Sequence, residues 1–192
     1  MYNSYQQPSY PCYGNIPGYN TYNMCNSCYV YQCPYYCRGV SYRYENMNMN
    51  MNMDLKDYGP EPFVINIEEA TRQNDNFRTA LWTGNHLQLT LMSIPVGGEI
   101  GLEIHPNLDQ FIRIEEGQGI VQMGDRKENL NFRERVYDDY IFIIPAGKWH
   151  NLINTGNKPI KLYSIYAPPQ HPYGTVHVTK ADADAAEHNN DY

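Results

Sequence analysis

Two segments of this 192-residue chain contain the side chains whose types and spacing could do chemistry. The first, GGEIGLEIHPNLDQFIRIEEG over 97–117, has a carboxylate and an imidazole two positions apart, Glu103 and His105. Residues two apart on a β-strand project from the same face, so this pair would face one side of a sheet. The second, DYIFIIPAGKWHNLIN over 139–154, has His150 in the pattern PxGxxHxxxN. Proline ends a strand and glycine permits a sharp turn, so His150 is predicted to begin the next strand.

The spacing of both segments resembles the two motifs of the cupin superfamily, Gx5HxHx3–4Ex6G and Gx5PxGxxHx3N. The resemblance covers roughly residues 62–169. Two positions of the first motif differ, because Glu103 and Gln110 stand where cupins have a histidine and a glutamate. In the second motif Asp139 replaces the opening glycine. The matching residues are Gly97, His105 and Gly117 in the first motif and Pro145, Gly147, His150 and Asn154 in the second.

The resemblance implies a divalent metal ion bound inside a jelly-roll barrel. The positions that correspond to the cupin ligands are Glu103, His105, Gln110 and His150. Two imidazoles and one carboxylate are ligand types that Fe(II), Mn(II), Ni(II) and Zn(II) accept, and an amide oxygen could be added by Gln110. A carboxylate that faces a barrel interior would be costly without a cation. The metal identity stays open, and no catalytic residue or organic cofactor is assigned.

Each of these residues also has a structural interpretation. His150 follows Trp149 and could simply pack beside it, while the Gln110 amide could be satisfied by hydrogen bonds alone. His171 and His177 follow the last predicted strand and are the next candidates, because they could reach the barrel mouth. The remaining histidines, His86 and His188, lie outside both motifs.

Short strands must position these residues. From residue 63 onward, runs of β-forming residues are separated by Gly, Pro and Asn. The runs are FVINI, FRTALW, HLQLTLMSI, GLEIH, QFIRI, GIVQM, YIFII, HNLIN and IKLYSIY, and EEATRQN reads as a helical turn. Such regularly spaced strands predict an all-β sandwich or barrel rather than βαβ units. Together with the resemblance, the predicted fold is an all-β, single-domain, RmlC-like cupin jelly-roll barrel over 54–170.

The two ends of the chain differ from this domain. Residues 1–53 contain all five cysteines, 12 of the 19 tyrosines and 6 of the 8 methionines, but no Leu or Phe. That composition cannot bury a core that offsets chain entropy, so a disordered, low-complexity tail is predicted. Residues 171–192 lose the strand alternation and end in ADADAAEHNNDY, which predicts a short, frayed, acidic C-terminal tail.

Charge and hydropathy exclude several classes of function. The formal net charge is −7 and the first 53 residues carry +1, which leaves −8 for the rest. Without a basic run, nucleic-acid binding is not expected. Neither a long apolar stretch nor a secretory signal is present in the sequence, so no membrane contact is expected and synthesis is expected in the cytoplasm.

Three functions from different classes remain open. The first is a metal-dependent enzyme of the dioxygenase or isomerase type that acts on a small-molecule substrate. A sugar-phosphate isomerase would need cationic anchors, but strand parity turns Arg113 outward. The second is a non-catalytic coat protein, because the tail resembles the Tyr-, Cys-, Asn- and Pro-rich segments of bacterial spore-coat proteins. The third is a metal-containing metabolite sensor. A homodimer is the assembly expected for the domain.

The tail cysteines allow two opposing predictions. The spacing of Cys25, Cys28, Cys33 and Cys37 could form a zinc site, whereas the spore-coat resemblance implies disulfide and tyrosine cross-linking. An odd number of exposed thiols leaves at least one for another chain. We expect mild oxidation to produce reducible covalent multimers of the full chain, and none of a chain that starts at Asp54 and lacks cysteine. Non-reducing gel electrophoresis measures this, and an oxidised full chain that stays monomeric would refute the cross-linking role.

Overall fold

The computed structural model describes residues 52–188, and within them the chain forms two helices and ten strands. The helices are α1 (Ile67–Gln73) and α2 (Lys180–His188). The strands are β1 (Arg78–Thr83), β2 (Gln88–Ile94), β3 (Glu103–Ile104), β4 (Asp109–Glu116), β5 (Gly119–Gly124), β6 (Phe132–Val136), β7 (Ile141–Ile144), β8 (Trp149–Asn154), β9 (Ile160–Ala167) and β10 (Val176–His177). The predicted disordered tail lies outside these residues, apart from its last two. No helix within 52–188 is long and apolar enough to cross a membrane.

The strands form two antiparallel sheets that share one core. The six-stranded sheet has the order β10-β1-β2-β9-β4-β7 and the four-stranded sheet the order β3-β8-β5-β6. Met92 and Ile112 of the first sheet belong to the same buried cluster as Val121 and Leu152 of the second. Burial of both inner faces stabilises this arrangement, because apolar surface on each sheet leaves water. The predicted all-β fold is confirmed.

A further layer covers the outer face of the six-stranded sheet. Apolar side chains between residues 53 and 67 pack with Ala70 of α1 against Leu81 and Leu91 of that sheet. The run FVINI, predicted as a strand, is part of this layer and does not pair with another strand. Its alternation is real, since Val64 is 97% exposed while its neighbours are half-buried. The alternation in FVINI arises because one face of the segment packs against the sheet, not because the segment pairs with another strand.

The prediction of a frayed C-terminal segment from His171 is wrong for the residues that the structure describes. β10 pairs with β1, and the Phe77 amide donates to the Val178 carbonyl at 3.1 Å. α2 follows, and Ala183 is 2% exposed within the core cluster. The acidic composition hid the helix because its polar residues cover the solvent side while one small residue faces the core.

We expect Ala183→Asp to lower the free energy of unfolding by about 2 kcal/mol or more, because an unpaired carboxylate would enter the core. The matched change Ala181→Asp, at an exposed position of the same helix, should stay within about 0.5 kcal/mol of wild type. Chemical denaturation of both variants measures the difference. Equal stability of the two variants would show that α2 does not pack on the barrel.

The interior of the barrel has two chemically different halves. One half, the apolar half, is lined by Met92, Ile94, Ile112, Ile114, Val121, Leu152, Ile160 and Leu162. The other half, the polar half, continues the same inward-facing rows of side chains. It is lined by Arg78, Gln88, Thr90, Glu103, His105, Gln110, His150, Ser164 and Tyr166. Because the β2, β4, β8 and β9 rows all change from apolar to polar toward one end, the chemistry-bearing side chains converge there.

Candidate metal centre

Glu103 and His150 come from neighbouring strands of the four-stranded sheet. β3 and β8 pair so that Glu103 lies directly opposite His150. His105 follows β3 immediately, and its carbonyl accepts a hydrogen bond of 2.8 Å from the Gly147 amide. Gly147 has a φ of 78°, a conformation that glycine adopts without strain. The turn of the second motif therefore fixes the backbone of the first.

The structure brings three of the four predicted ligands together. Glu103, His105 and His150 have potential ligand atoms that all lie within 4.8 Å of one another. The Glu103 Oε1 atom is 3.2 Å from His150 Nε2 and 3.4 Å from His105 Nε2. His150 is 1% exposed and His105 7%. These residues thus form a compact, buried cluster of the kind that could bind one metal ion.

The hydrogen bond of His150 decides which ring nitrogen faces the cluster. Its Nδ1 atom lies 3.0 Å from the Lys148 carbonyl oxygen. A carbonyl can only accept, so Nδ1 carries a hydrogen and Nε2 is the nitrogen that faces the cluster. Nε2 lies 3.2 Å from a Glu103 oxygen. An ionised carboxylate can only accept, so either a proton, in an ion-paired hydrogen bond, or a metal ion lies between the two atoms.

Glu103 is held as a carboxylate. Burial alone would raise its pKa, but hydrogen bonds with His105 and His150 and the nearby charge of Arg78 lower the pKa well below its usual value. An ionised carboxylate beside two imidazoles is the donor set that divalent transition metals accept.

Gln110, the fourth predicted ligand, lies on the interior wall of the opposite sheet. It faces Tyr166 across the β4–β9 ladder, and its Nε2 donates to Ser164 Oγ at 2.9 Å. Its Oε1 atom is buried and has no hydrogen-bond partner among the described residues. The Gln110 amide nitrogen is therefore bonded to Ser164 while its oxygen has no partner among the described residues, and the role of Gln110 as a ligand stays a prediction.

His171 lies in the loop after β9, and His177 lies in β10. The Gln88 amide clamps the His171 backbone, because Nε2 donates to its carbonyl and Oε1 accepts from its amide, both at 2.9 Å. The His171 ring packs edge-on against Tyr166, with centroids 5.1 Å apart. Burial and the charge of Arg78 lower the pKa of His171 to about 3, so its ring is neutral at pH 7. This loop closes the polar half rather than remaining solvated.

Arg78 also belongs to the polar half of the barrel, although no sequence motif predicted it there. It is 1% exposed, lies opposite His177 in the β1–β10 ladder and lowers the pKa of Glu103. Arg113, by contrast, faces outward as predicted and pairs with Glu115 and Asp139 at 2.8 Å. The outward position of Arg113 therefore does not leave the barrel interior without a cation. Arg78 is the first residue of the largely apolar run RTALWT. A charged residue at an inward-facing position of that strand was the signal that could have identified it.

Two further motif residues are structural. Asp139, which replaces a glycine, has a φ of 69°, a left-handed conformation that aspartate tolerates better than most residues. The Asn154 amide donates to the carbonyls of Ile94 at 3.0 Å, Pro95 at 3.1 Å and Lys158 at 2.9 Å. Asn154 therefore holds the loops at the end of the barrel opposite the cluster.

Comparison with known proteins agrees with this fold and site. The family model of the cupin domain matches residues 90–166, which include the three clustered residues. The chain therefore contains a cupin domain over these residues.

Two curated proteins and one crystal structure are similar to most of this domain. The chain is 70% identical over 133 residues to the uncharacterized protein YrkC of Bacillus subtilis (strain 168). The aligned region is 69% of this chain and 72% of that protein. It is 40% identical over 119 residues to the uncharacterized protein L612 of Acanthamoeba polyphaga mimivirus, covering 62% and 72%. A crystal structure of BH2720 from Bacillus halodurans is similar at 69% identity with a TM-score of 0.67, over 68% of this chain and 98% of that one.

Proposed function

We propose that this protein is a metal-dependent enzyme that acts on a small molecule, with Glu103, His105 and His150 as ligands of one divalent transition-metal ion. The observation that carries the proposal is the buried cluster itself, in which the potential ligand atoms of the three residues all lie within 4.8 Å of one another. A divalent cation among them would be bound by a Glu103 oxygen and by one nitrogen of each histidine.

The residues around the cluster have separate tasks. The Lys148 carbonyl fixes the tautomer and orientation of His150 through Nδ1, as metal-binding histidines usually require. Glu103 supplies the negative charge that balances a cation in a buried site. A bound metal would polarise a carbonyl or hydroxyl for isomerisation, or activate dioxygen for oxidation.

The polar half of the barrel favours an enzyme over a passive building block. A barrel that serves only as a scaffold gains most stability by filling its interior with apolar side chains. Here Gln110, Ser164 and Tyr166 are almost fully buried and face inward beside the cluster. The fold alone does not determine which reaction is catalysed, so the proposal includes both oxidoreductase and isomerase chemistry.

The test is a titration of metal-free protein with Co(II), which reports its ligands through visible absorption. We expect one Co(II) per chain, with a spectrum of nitrogen and oxygen donors. An oxygen-electrode screen of the iron-loaded protein then separates oxidase from isomerase chemistry. Failure to bind any of Fe(II), Mn(II), Ni(II), Zn(II) or Co(II) would refute the proposal.

A coat or assembly role is a second proposal, supported by the cysteine and tyrosine content of residues 1–53. It is compatible with a metal-binding domain, and the oxidation experiment described above tests it independently of the metal.

A further inference from the structure

The polar half of the barrel contains buried polar atoms that the fold does not satisfy. Thr90 Oγ1, Gln110 Oε1 and His171 Nε2 are buried without a hydrogen-bond partner among residues 52–188. Thr90 is 0% exposed and Gln110 1%. Buried polar atoms in folded proteins almost always have partners. Several such atoms on one interior wall therefore leave hydrogen-bonding groups available there to water or to a polar ligand.

These atoms lie on one connected wall beside the candidate metal cluster. Thr90 of β2 lies opposite Ser164 of β9, and Ser164 accepts the hydrogen bond from Gln110. Tyr166, two residues along β9, contacts the His105 ring at 5.7 Å and the His171 ring at 5.1 Å between centroids. A molecule bound against this wall would thus reach the metal ligands.

The charge of the site favours an anion. Arg78 is a buried cation close to Glu103, so the two side chains together carry no net charge before a metal ion binds. The His171 ring is neutral at pH 7. A divalent metal ion on Glu103, His105 and His150 would leave about two uncompensated positive charges in a buried space, which is costly unless an anion neutralises them.

The hydrogen-bonding groups restrict the ligand further. Arg78 can only donate, and it suits a carboxylate because its planar guanidinium offers paired donors. Gln110 Oε1 can only accept, and the Gln110 amide nitrogen is already bonded to Ser164. The ligand must therefore present an acceptor anion and also a donor such as a hydroxyl.

We propose that the polar half of the barrel binds a small hydroxycarboxylate, whose carboxylate faces Arg78 and whose hydroxyl donates to Gln110 Oε1. This inference rests on the proposed function, because the charge argument requires the bound divalent ion. It assigns the substrate class of the site.

The experiment uses the full chain loaded with zinc, and zinc content is measured by elemental analysis before each titration. Calorimetry compares glycolate, which has a carboxylate and a hydroxyl, with acetate, which lacks the hydroxyl, and ethylene glycol, which lacks the charge. We expect glycolate to bind at least about tenfold more tightly than either, the effect of one charge-assisted or one well-formed hydrogen bond.

Two threonines provide a matched pair of variants. Thr90→Val removes a buried hydroxyl from the polar half, and we expect it to weaken glycolate binding several-fold. Thr71→Val removes an equally buried, unpartnered hydroxyl from α1, outside the barrel, and should leave the affinity unchanged. Arg78→Met should abolish the preference for glycolate over ethylene glycol. If Arg78→Met does not fold, two comparisons still test the proposal. These are Thr90→Val against Thr71→Val, and glycolate against acetate and ethylene glycol.

The outcomes separate the two proposals. A protein that takes up no zinc overturns the proposed function and this inference with it. Zinc-loaded protein that binds glycolate no better than ethylene glycol overturns only the inference. Glycolate affinity that is unchanged in Thr90→Val and in folded Arg78→Met also overturns it, because the metal alone would then hold the probe.

Discussion

His150→Ala and His105→Ala are each expected to lower the affinity for a divalent transition metal by at least about 100-fold. Each change removes one of three clustered donors, and loss even of a residue that only supports a ligand costs 10- to 100-fold. Elemental analysis after dialysis should find about one metal ion per wild-type chain and little in either variant.

The control for this prediction is His86→Ala. His86 is exposed and lies outside both motifs, so the variant should retain metal like wild type. Circular dichroism of each metal-free variant establishes that it is folded. Full metal occupancy in folded His150→Ala and His105→Ala would move the site elsewhere, with His171 and His177 examined next.

Glu103→Gln is expected to remove the metal-dependent part of the stability. For wild type, zinc at 100 times its dissociation constant should stabilise the fold by about 2.7 kcal/mol. The amide keeps the shape of the side chain but not the charge that balances the cation, so the variant should show almost no zinc-dependent rise in Tm. Glu99→Gln makes the same change at an exposed site and should respond to zinc like wild type.

Without metal, the same variant is expected to be less stable than wild type at pH 7 by about 1–3 kcal/mol, because hydrogen bonds to a charged group are lost. The folded state lowers the pKa of Glu103 below 4.5, so its contribution is present above about pH 4.5 and declines as the pH falls further. The difference between wild type and Glu103→Gln should therefore shrink in acid. A metal-free difference that grows below pH 4.5 would contradict the assigned charge state.

Local patterns in the sequence were sufficient for most of the barrel. Strands such as β2, β4, β8 and β9 bury apolar residues in alternation or in continuous runs, and both patterns are visible in the chain. β6 was missed because its sequence, FRERV, is charged and four of its five residues are exposed. A strand that buries little leaves no hydrophobic period to detect.

The sequence by itself placed Glu103 and His105 on one face, and the resemblance to the cupin motifs implied that His150 joins them. Residues two apart on a strand share a face whatever the rest of the fold does, whereas β3 and β8 are distant in the sequence and pair only in the folded barrel. Gly147 contributes to this contact between the two motifs, because its amide bonds to the His105 carbonyl. Identity, spacing and turn chemistry are local properties, so the sequence alone could specify them.

Only the tertiary structure decided what surrounds that cluster. Arg78 lies 25 positions before Glu103, and His171 lies 68 positions after it. Nothing in the sequence around either residue indicates that it lies near Glu103 in the fold. Strand order brings them together: β1 lies between β10 and β2, and Gln88 of β2 clamps the His171 loop. Pairing between strands distant in the sequence depends on the packing of the whole barrel, which no single segment encodes. The sequence therefore specified the candidate ligands, whereas the fold decided that a buried cation and unsatisfied polar atoms share their half of the barrel.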